Sequence, residues 1–272
     1  MSSHTSAHAT KSQNDNTGKM PVLFVGHGSP VNAIEQNVFT EGWVRVAEQI
    51  PIPKAILCIS AHWVTHGETR VASTAHPKTQ YDFFGFPEEL YRVTYDAPGS
   101  AELAQSVVEC LAPFRVRTDD TQGFDHGTWS VLRNMYPEAT IPVVQLSLDA
   151  KRSPKEHMEL ARCLKPLREQ GVLIVGSGNM VHHLGMMQAE PHPFAIAVDE
   201  TLAASLQHRR DDEVVDFLEK GQYANLAHPT PEHFLPLLYF LAALDAHEPV
   251  SFFSEGITLG SISMRSCLSS VL

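Results

Sequence analysis

Fifteen histidines stand in this chain of 272 residues. Three of them, His27, His62 and His182, follow short apolar runs with the composition of buried strands. The runs are Val22-Leu23-Phe24-Val25, Ala55-Ile56-Leu57-Cys58-Ile59 and Val172-Leu173-Ile174-Val175. Continuous aliphatic stretches of this length, separated by helical stretches, predict parallel strands covered on both faces. Ligands of such sheets bind beyond the carboxyl ends of the strands, so side chains placed there converge on one crevice. Several imidazoles in one crevice read as a metal site, since neutral imidazole suits divalent transition metals.

Three further positions join this set. His126 lies in Gly123-Phe124-Asp125-His126-Gly127, a turn in which Asp125 is placed to orient an imidazole. His183 is adjacent to His182, so one of the two faces the crevice, and strand-to-loop spacing does not choose between them. His233 follows Thr230-Pro231-Glu232 at the opening of a helix that carries Phe234, Leu237, Leu238, Leu241 and Leu244. In a first turn the positive end of the helix dipole disfavours imidazolium, which keeps the ring in the neutral state a metal requires. Each ring also has a plainer reading as a hydrogen-bonding group. Surface or capping roles are assigned to His66, His76, His157, His192, His208, His228 and His247. No HExxH, EF-hand loop, P-loop or nucleophile elbow occurs, and Gly176-Ser177-Gly178 lacks the lysine and glycine spacing of a phosphate loop.

The elements that must position these rings follow from periodicity and breakers. Strands are expected over about 21–26, 55–60, 69–75, 114–118, 141–148 and 172–176, with one or two more in 250–254 and 259–267. Helices are expected over about 37–50, 101–112, 128–135, 154–170, 195–208 and 211–219, and from 230 onward. Residues 76–98, rich in Pro, Gly and aromatics (Tyr81, Phe83, Phe84, Phe86, Tyr91, Tyr95), form a long irregular segment. Such a segment is either a pocket wall or a loop pinned by aromatic packing. The fold class is α/β, a single domain with a central, mostly parallel sheet flanked by helices and a metal site at the carboxyl ends of the strands. Residues 1–19 are a polar leader expected to be disordered.

Composition narrows the partners. A net charge of −11 argues against nucleic acid and anionic membrane surfaces. No apolar run reaches the length of a membrane span. Cys58, Cys110, Cys163 and Cys267 are widely spaced without a CxxC pair, the pattern of buried reduced thiols in a cytoplasmic protein.

Taken in order, five motifs resemble one family: Gly26-His27-Gly28-Ser29-Pro30, Ser60-Ala61-His62-Trp63, Gly123-Phe124-Asp125-His126-Gly127, Gly178-Asn179-Met180-Val181-His182 and Pro229-Thr230-Pro231-Glu232-His233. They resemble the class III extradiol ring-cleaving dioxygenases, in particular the DOPA 4,5-dioxygenase branch. The resemblance runs from Pro21 to the C-terminus and implies that 20–272 is the catalytic domain. It implies one divalent metal per chain at His27, His62 and His233, with His182 as acid/base or additional ligand and His126 on the substrate side. It thereby selects His182 over His183. The implied substrates are a catechol-type small molecule, DOPA-like and cleaved at the 4,5 bond, and O2.

In the wider superfamily Fe(II) is usually held by two histidines and a carboxylate. Here the third position matches His233, with Glu232 beside it. Fe(II) is implied for turnover, although three imidazoles also make a good Zn2+ site. In the implied chemistry His182 removes and returns a proton, while His126 orients substrate and steadies the developing oxyanion. Two other readings stand beside this one. A zinc-dependent hydrolase would use the same three imidazoles with a bound water. A non-catalytic binding protein on this fold would have no use for His126 and His182. The side group of the catechol, and whether the chain is a monomer or a homo-oligomer, stay open.

Overall fold

The computed structural model describes residues 18–270. The leader expected to be disordered falls outside the described residues except at its end, where Lys19 is ion-paired with Asp245. The apolar runs form strands β1 (Val22–Gly26), β2 (Ala55–Thr65), β3 (Thr69–Ala72), β4 (Val116–Asp119), β5 (Val143–Asp149) and β6 (Val172–Gly178). Four short strands follow near the C-terminus: β7 (Val250–Phe253), β8 (Ile257–Thr258), β9 (Ile262–Ser263) and β10 (Ser266–Ser269). Eight of them make one sheet in the order β4-β3-β5-β2-β6-β1-β10-β7, while β8 and β9 pair separately. The central ladders β5-β2, β2-β6 and β6-β1 are all parallel, and antiparallel pairing begins only where β10 joins β1 and where β3 joins β5. The fold is thus the single-domain α/β arrangement expected, with a mostly parallel centre.

Helices α1 (Val38–Gln49), α2 (Ala101–Cys110), α3 (His126–Met135), α4 (Pro154–Arg162), α5 (Pro193–Gln207), α6 (Asp211–Val215), α7 (Gln222–Ala227) and α8 (Leu235–Ala243) cover the sheet. Alternation along the strands sorts the core into two layers. Val22 and Phe24 of β1 and Leu57 and Ile59 of β2 face a cluster built by α2, α4, α5 and α8. Leu23 and Val25, with Ile56 and Cys58, face the opposite cluster, where Trp43 of α1 and Trp129 of α3 pack with Leu90 and Tyr95. Burial on both faces is why these strands read as uninterrupted apolar runs.

Several boundaries depart from expectation, each for a local reason. The helix expected over 154–170 stops at Arg162 and resumes as a 3-10 turn, Lys165–Gln170. Pro166 lacks an N–H and so cannot continue the α-helical hydrogen-bond ladder. The 211–219 helix is likewise split, into α6 and a 3-10 turn, Phe217–Glu219. The third strand ends at Ala72, and the C-terminal region holds four short strands rather than one or two. Most consequential for the site, β2 does not stop before His62 but runs through it. Of the four thiols, Cys58 and Cys267 are buried, whereas Cys110 and Cys163 are half-exposed, and all four are free. Among the described residues no helix is long and apolar enough to cross a membrane.

Helix α8 is apolar on every side and buried along its whole length, as a helix enclosed by protein must be. It packs directly on β6 because β6 carries Gly176 there: a Cβ at that position would collide with the Pro236 carbonyl oxygen. Gly176→Ala should therefore push α8 off the sheet and lower stability by about 1–3 kcal/mol, the usual cost of overpacking. Urea unfolding monitored by circular dichroism measures this; an unchanged midpoint would mean that the helix has slack to move.

Candidate metal centre

Five imidazoles meet around the carboxyl ends of β1, β2 and β6, His62 from within β2 itself. His27 leaves β1 directly, and its backbone N–H donates to the Gly178 carbonyl at the end of β6 (3.1 Å). His62 sits in an irregularity of β2. The β2-β5 register jumps from Ile59↔Leu146 to Val64↔Leu148, so the intervening residues of β2 bulge and re-aim the His62 ring. His233 lies in the turn just before α8 rather than inside its first helical turn. Its carbonyl accepts the Asn179 N–H at 2.8 Å, which ties that turn to the tip of β6. One nitrogen from each of His27, His62 and His233 lies within 4.8 Å of the others.

His182 and His126 flank this trio. The His182 ring stacks on His233, with centroids 3.4 Å apart and planes tilted by 3°. His183 turns away, its Nδ1 bonded to the Leu226 carbonyl at 2.8 Å. His126 is the first residue of α3, two residues earlier than the helix was expected to begin. Its ring centroid lies 3.8 Å from that of His62. Phe83, from the irregular aromatic segment, meets His126 edge-on with centroids 5.6 Å apart.

The donor set can be tested for a cation from its hydrogen bonds alone. Ser177 spends its hydroxyl proton on the Gly127 carbonyl (2.6 Å), so towards His27 Nδ1 (3.0 Å) it can only accept. His27 therefore carries its hydrogen on Nδ1 and has a bare lone pair at Nε2. That lone pair faces His62 Nε2 at 3.1 Å. Two imidazole nitrogens bound to one tetrahedral ion at about 2.0–2.1 Å would stand nearly this far apart. His233 completes the case: among the described residues neither of its buried ring nitrogens has a hydrogen-bond partner. Buried polar atoms left orphaned ask for a ligand outside the protein. These residues fit a divalent metal.

The rings are also in the right protonation state. Burial, and then the neighbouring imidazoles, hold His27, His62 and His233 well below the ordinary imidazole range. Burial also lowers His182 to about 4, helped by His126 and His183. The neutrality of His233 thus comes from burial and from the crowd of rings, not from a helix dipole as the sequence suggested.

Two residues of the site carried no usable signal in the sequence. Ser177 was set aside with its glycines as a fragment of a phosphate loop. Asp82 is hidden in the aromatic segment, yet its Oδ2 lies 2.9 Å from His126 Nδ1 and 3.3 Å from His62 Nδ1. Asp125, placed by sequence to orient an imidazole, does something else. Its buried carboxylate caps α3 at the Thr128 N–H (3.0 Å) and accepts from Ser60 Oγ and Gln145 Nε2 (2.6 Å each).

A mostly parallel α/β sheet that gathers neutral imidazoles at its strand ends defines a metal-dependent enzyme. The chain belongs to the family described as the catalytic LigB subunit of aromatic ring-opening dioxygenase, which matches residues 21–263. A protein of Escherichia coli K12 named 4,5-DOPA dioxygenase extradiol is 45% identical over 256 residues, spanning 91% of this chain and 94% of that one. A Beta vulgaris protein of the same name is 42% identical, spanning 79% of this chain and 83% of its own. The crystal structure of an uncharacterized Escherichia coli K12 protein superposes with a TM-score of 0.81 at 42% identity, covering 93% of this chain and 100% of that one. The chain is thus an aromatic ring-opening dioxygenase of the extradiol type.

Buried neutral rings make the metal-free protein acid-labile. Unfolded, His182 takes up its proton near 6.5, but folded it does so only near 4, so between those values the unfolded chain binds more protons. His27, His62 and His233 act in the same direction. This contribution to stability is complete above pH 6.5 and is lost as the pH falls toward 4. Denaturant midpoints of the chelator-treated protein, measured at stepped pH, should fall steadily through this window; a flat profile would contradict the burial of neutral rings.

Proposed function

We propose that this dioxygenase cleaves the 4,5 bond of a DOPA-like catechol, with residues 20–272 as its catalytic domain and Fe(II) at His27, His62 and His233 as the ion of turnover. The observation that carries the reading is the convergence of these three neutral imidazoles, two further rings in contact with them, and, among the described residues, no hydrogen-bond partner for the His233 ring. The DOPA-like side group rests on the names of the relatives from Escherichia coli and Beta vulgaris. A three-imidazole site also holds Zn2+ well, so the ion found after purification need not be the ion of turnover. Four free cysteines suit a reducing compartment such as the cytoplasm.

When bound, Fe(II) supplies the Lewis acidity that favours the catecholate and the electron density that O2 needs. The protein residues handle protons and orientation. Among the described residues, no protein group hydrogen-bonds to the His182 ring nitrogens. Burial keeps the ring neutral, so it can accept a catechol proton and later return it. One face of the ring is covered by its stack with His233. His126 is tied at Nδ1 to Asp82, so its Nε2 can accept a hydrogen bond from a catechol hydroxyl. Only after gaining that proton can it donate to a developing oxyanion. Phe83, lying against His126, supplies an apolar edge for the ring of the substrate.

Anaerobic loading with Fe(II), followed by oxygen-electrode assays on a panel of catechols, tests the reading. Oxygen uptake with a new yellow chromophore is expected, greatest for DOPA-like members; no uptake with any catechol would overturn it. His182→Gln should retain most of the metal while turnover falls by about 10²–10⁴-fold, the range for loss of one acid/base group. Loss of metal in parallel with activity would instead make His182 a ligand.

A further inference from the structure

Asp82 stands between Tyr81 and Phe83, on the aromatic segment and far in sequence from the histidines it touches. Its Oδ1 accepts the backbone N–H of His126 (2.9 Å), while Oδ2 faces the Nδ1 atoms of both His126 (2.9 Å) and His62 (3.3 Å). An ionised carboxylate has no proton to donate, so an imidazole nitrogen hydrogen-bonded to it, as His126 Nδ1 is, carries the hydrogen, and the 3.3 Å approach favours the same form of His62. A neutral ring with hydrogen on Nδ1 has its lone pair at Nε2. For His62 that is the nitrogen facing His27. Asp125 cannot substitute, because Ser60, Gln145 and Thr128 already occupy its oxygens. Glu232 lies beside His233 instead (3.6 Å).

We propose that Asp82 is the positioning residue that sets the tautomers of His62 and His126 together, one carboxylate serving a metal ligand and a substrate-side ring at once. The proposal rests on the reading of His62 as a ligand. A carboxylate behind a ligating histidine orients the ring and raises its basicity, and removing such a partner typically weakens metal binding by about 10–100-fold. Here the same group also holds the start of α3 through the His126 N–H. Because Asp82 adjoins Phe83, the segment that walls the site also carries the group that readies its two rings.

The test uses full-length, chelator-treated protein labelled with 15N in its histidine rings, at a pH where the rings are neutral. Long-range 1H–15N spectra report which ring nitrogen carries hydrogen, with His62→Gln and His126→Gln assigning the signals. In the wild type both rings should show hydrogen on Nδ1. In Asp82→Ala both should revert to the Nε2–H form or a mixture, and Zn2+ affinity, measured with the metal alone, should fall about 10–100-fold. Asp82→Asn keeps the volume and one acceptor oxygen, and should release at least one of the two rings. Hydrogen on Nε2 of both wild-type rings, or tautomers and affinity unchanged in Asp82→Ala, would overturn the proposal. Those spectra need neither iron nor substrate, so that failure would leave ring cleavage untouched, whereas failed oxygen uptake would leave the tautomers as found.

Discussion

Three imidazoles whose nitrogens lie within 4.8 Å of one another cannot all be charged inside a protein, and most of the surrounding structure follows from keeping them neutral. Burial removes the water that would stabilise a protonated ring, and each neighbour adds repulsion against a second charge. His27 and His62 approach through their Nε2 atoms at 3.1 Å, and with hydrogen on Nδ1 of both rings each nitrogen would present a lone pair to the other. That contact is unfavourable unless a cation lies between them. A metal bound among these rings would recover the cost of gathering them and couple the integrity of the site to its ion.

The fold meets this constraint by fixing the outer side of each ring. Ser177, on β6, holds His27 through a hydroxyl already committed to Gly127. Asp82 reaches His62 and His126 from the opposite wall. His233 has no such partner, and its place is set through the main chain: Asn179 binds its carbonyl. Gly178 lets that carbonyl approach β6 so closely that a Cβ would not fit. The tip of β6 thus serves two rings of the trio, one through a side chain and one through backbone contact. Stacking of His182 on His233 then places a neutral ring beside the trio, and among the described residues no hydrogen bond holds that ring.

The aromatic segment has a similarly divided task. Tyr81, Phe83, Phe86 and Tyr91 pack among themselves and against Trp129 of α3. The Tyr81 hydroxyl donates to the Val93 carbonyl at 2.8 Å, and the Trp129 indole to the Gln80 carbonyl at 2.9 Å. These contacts hold in one conformation a stretch that is irregular apart from a 3-10 turn, Glu88–Arg92. It is both a pinned loop and the wall beside His126, so the two readings open at the level of sequence describe one object.

What the amino-acid order determined by itself was the layered sheet and the strand tips. Runs buried on both faces are mostly continuous apolar stretches, although buried β5 also carries Gln145, Ser147 and Asp149. A histidine that ends such a run, as His27 does, is placed by the run. Helix starts at Ser100 and Ser153 were legible too, because a capping side chain acts within three residues of itself. His62 was mapped to the right end of its strand, yet the bulge that aims it depends on pairing with β5, which no local signal records. Spacing could not separate His182 from His183, since the choice depends on hydrogen bonds to Ala227, Leu226 and Ser261, distant in sequence. The exchange of Asp125 for Asp82 shows the same limit. Adjacency suggested the carboxylate next to His126, but a helix cap points that side chain at its own backbone, and the group that reaches the ring arrives from a loop with no period to announce it. Local chemistry is written in neighbouring residues; convergence of side chains on one point is decided only when the chain closes on itself.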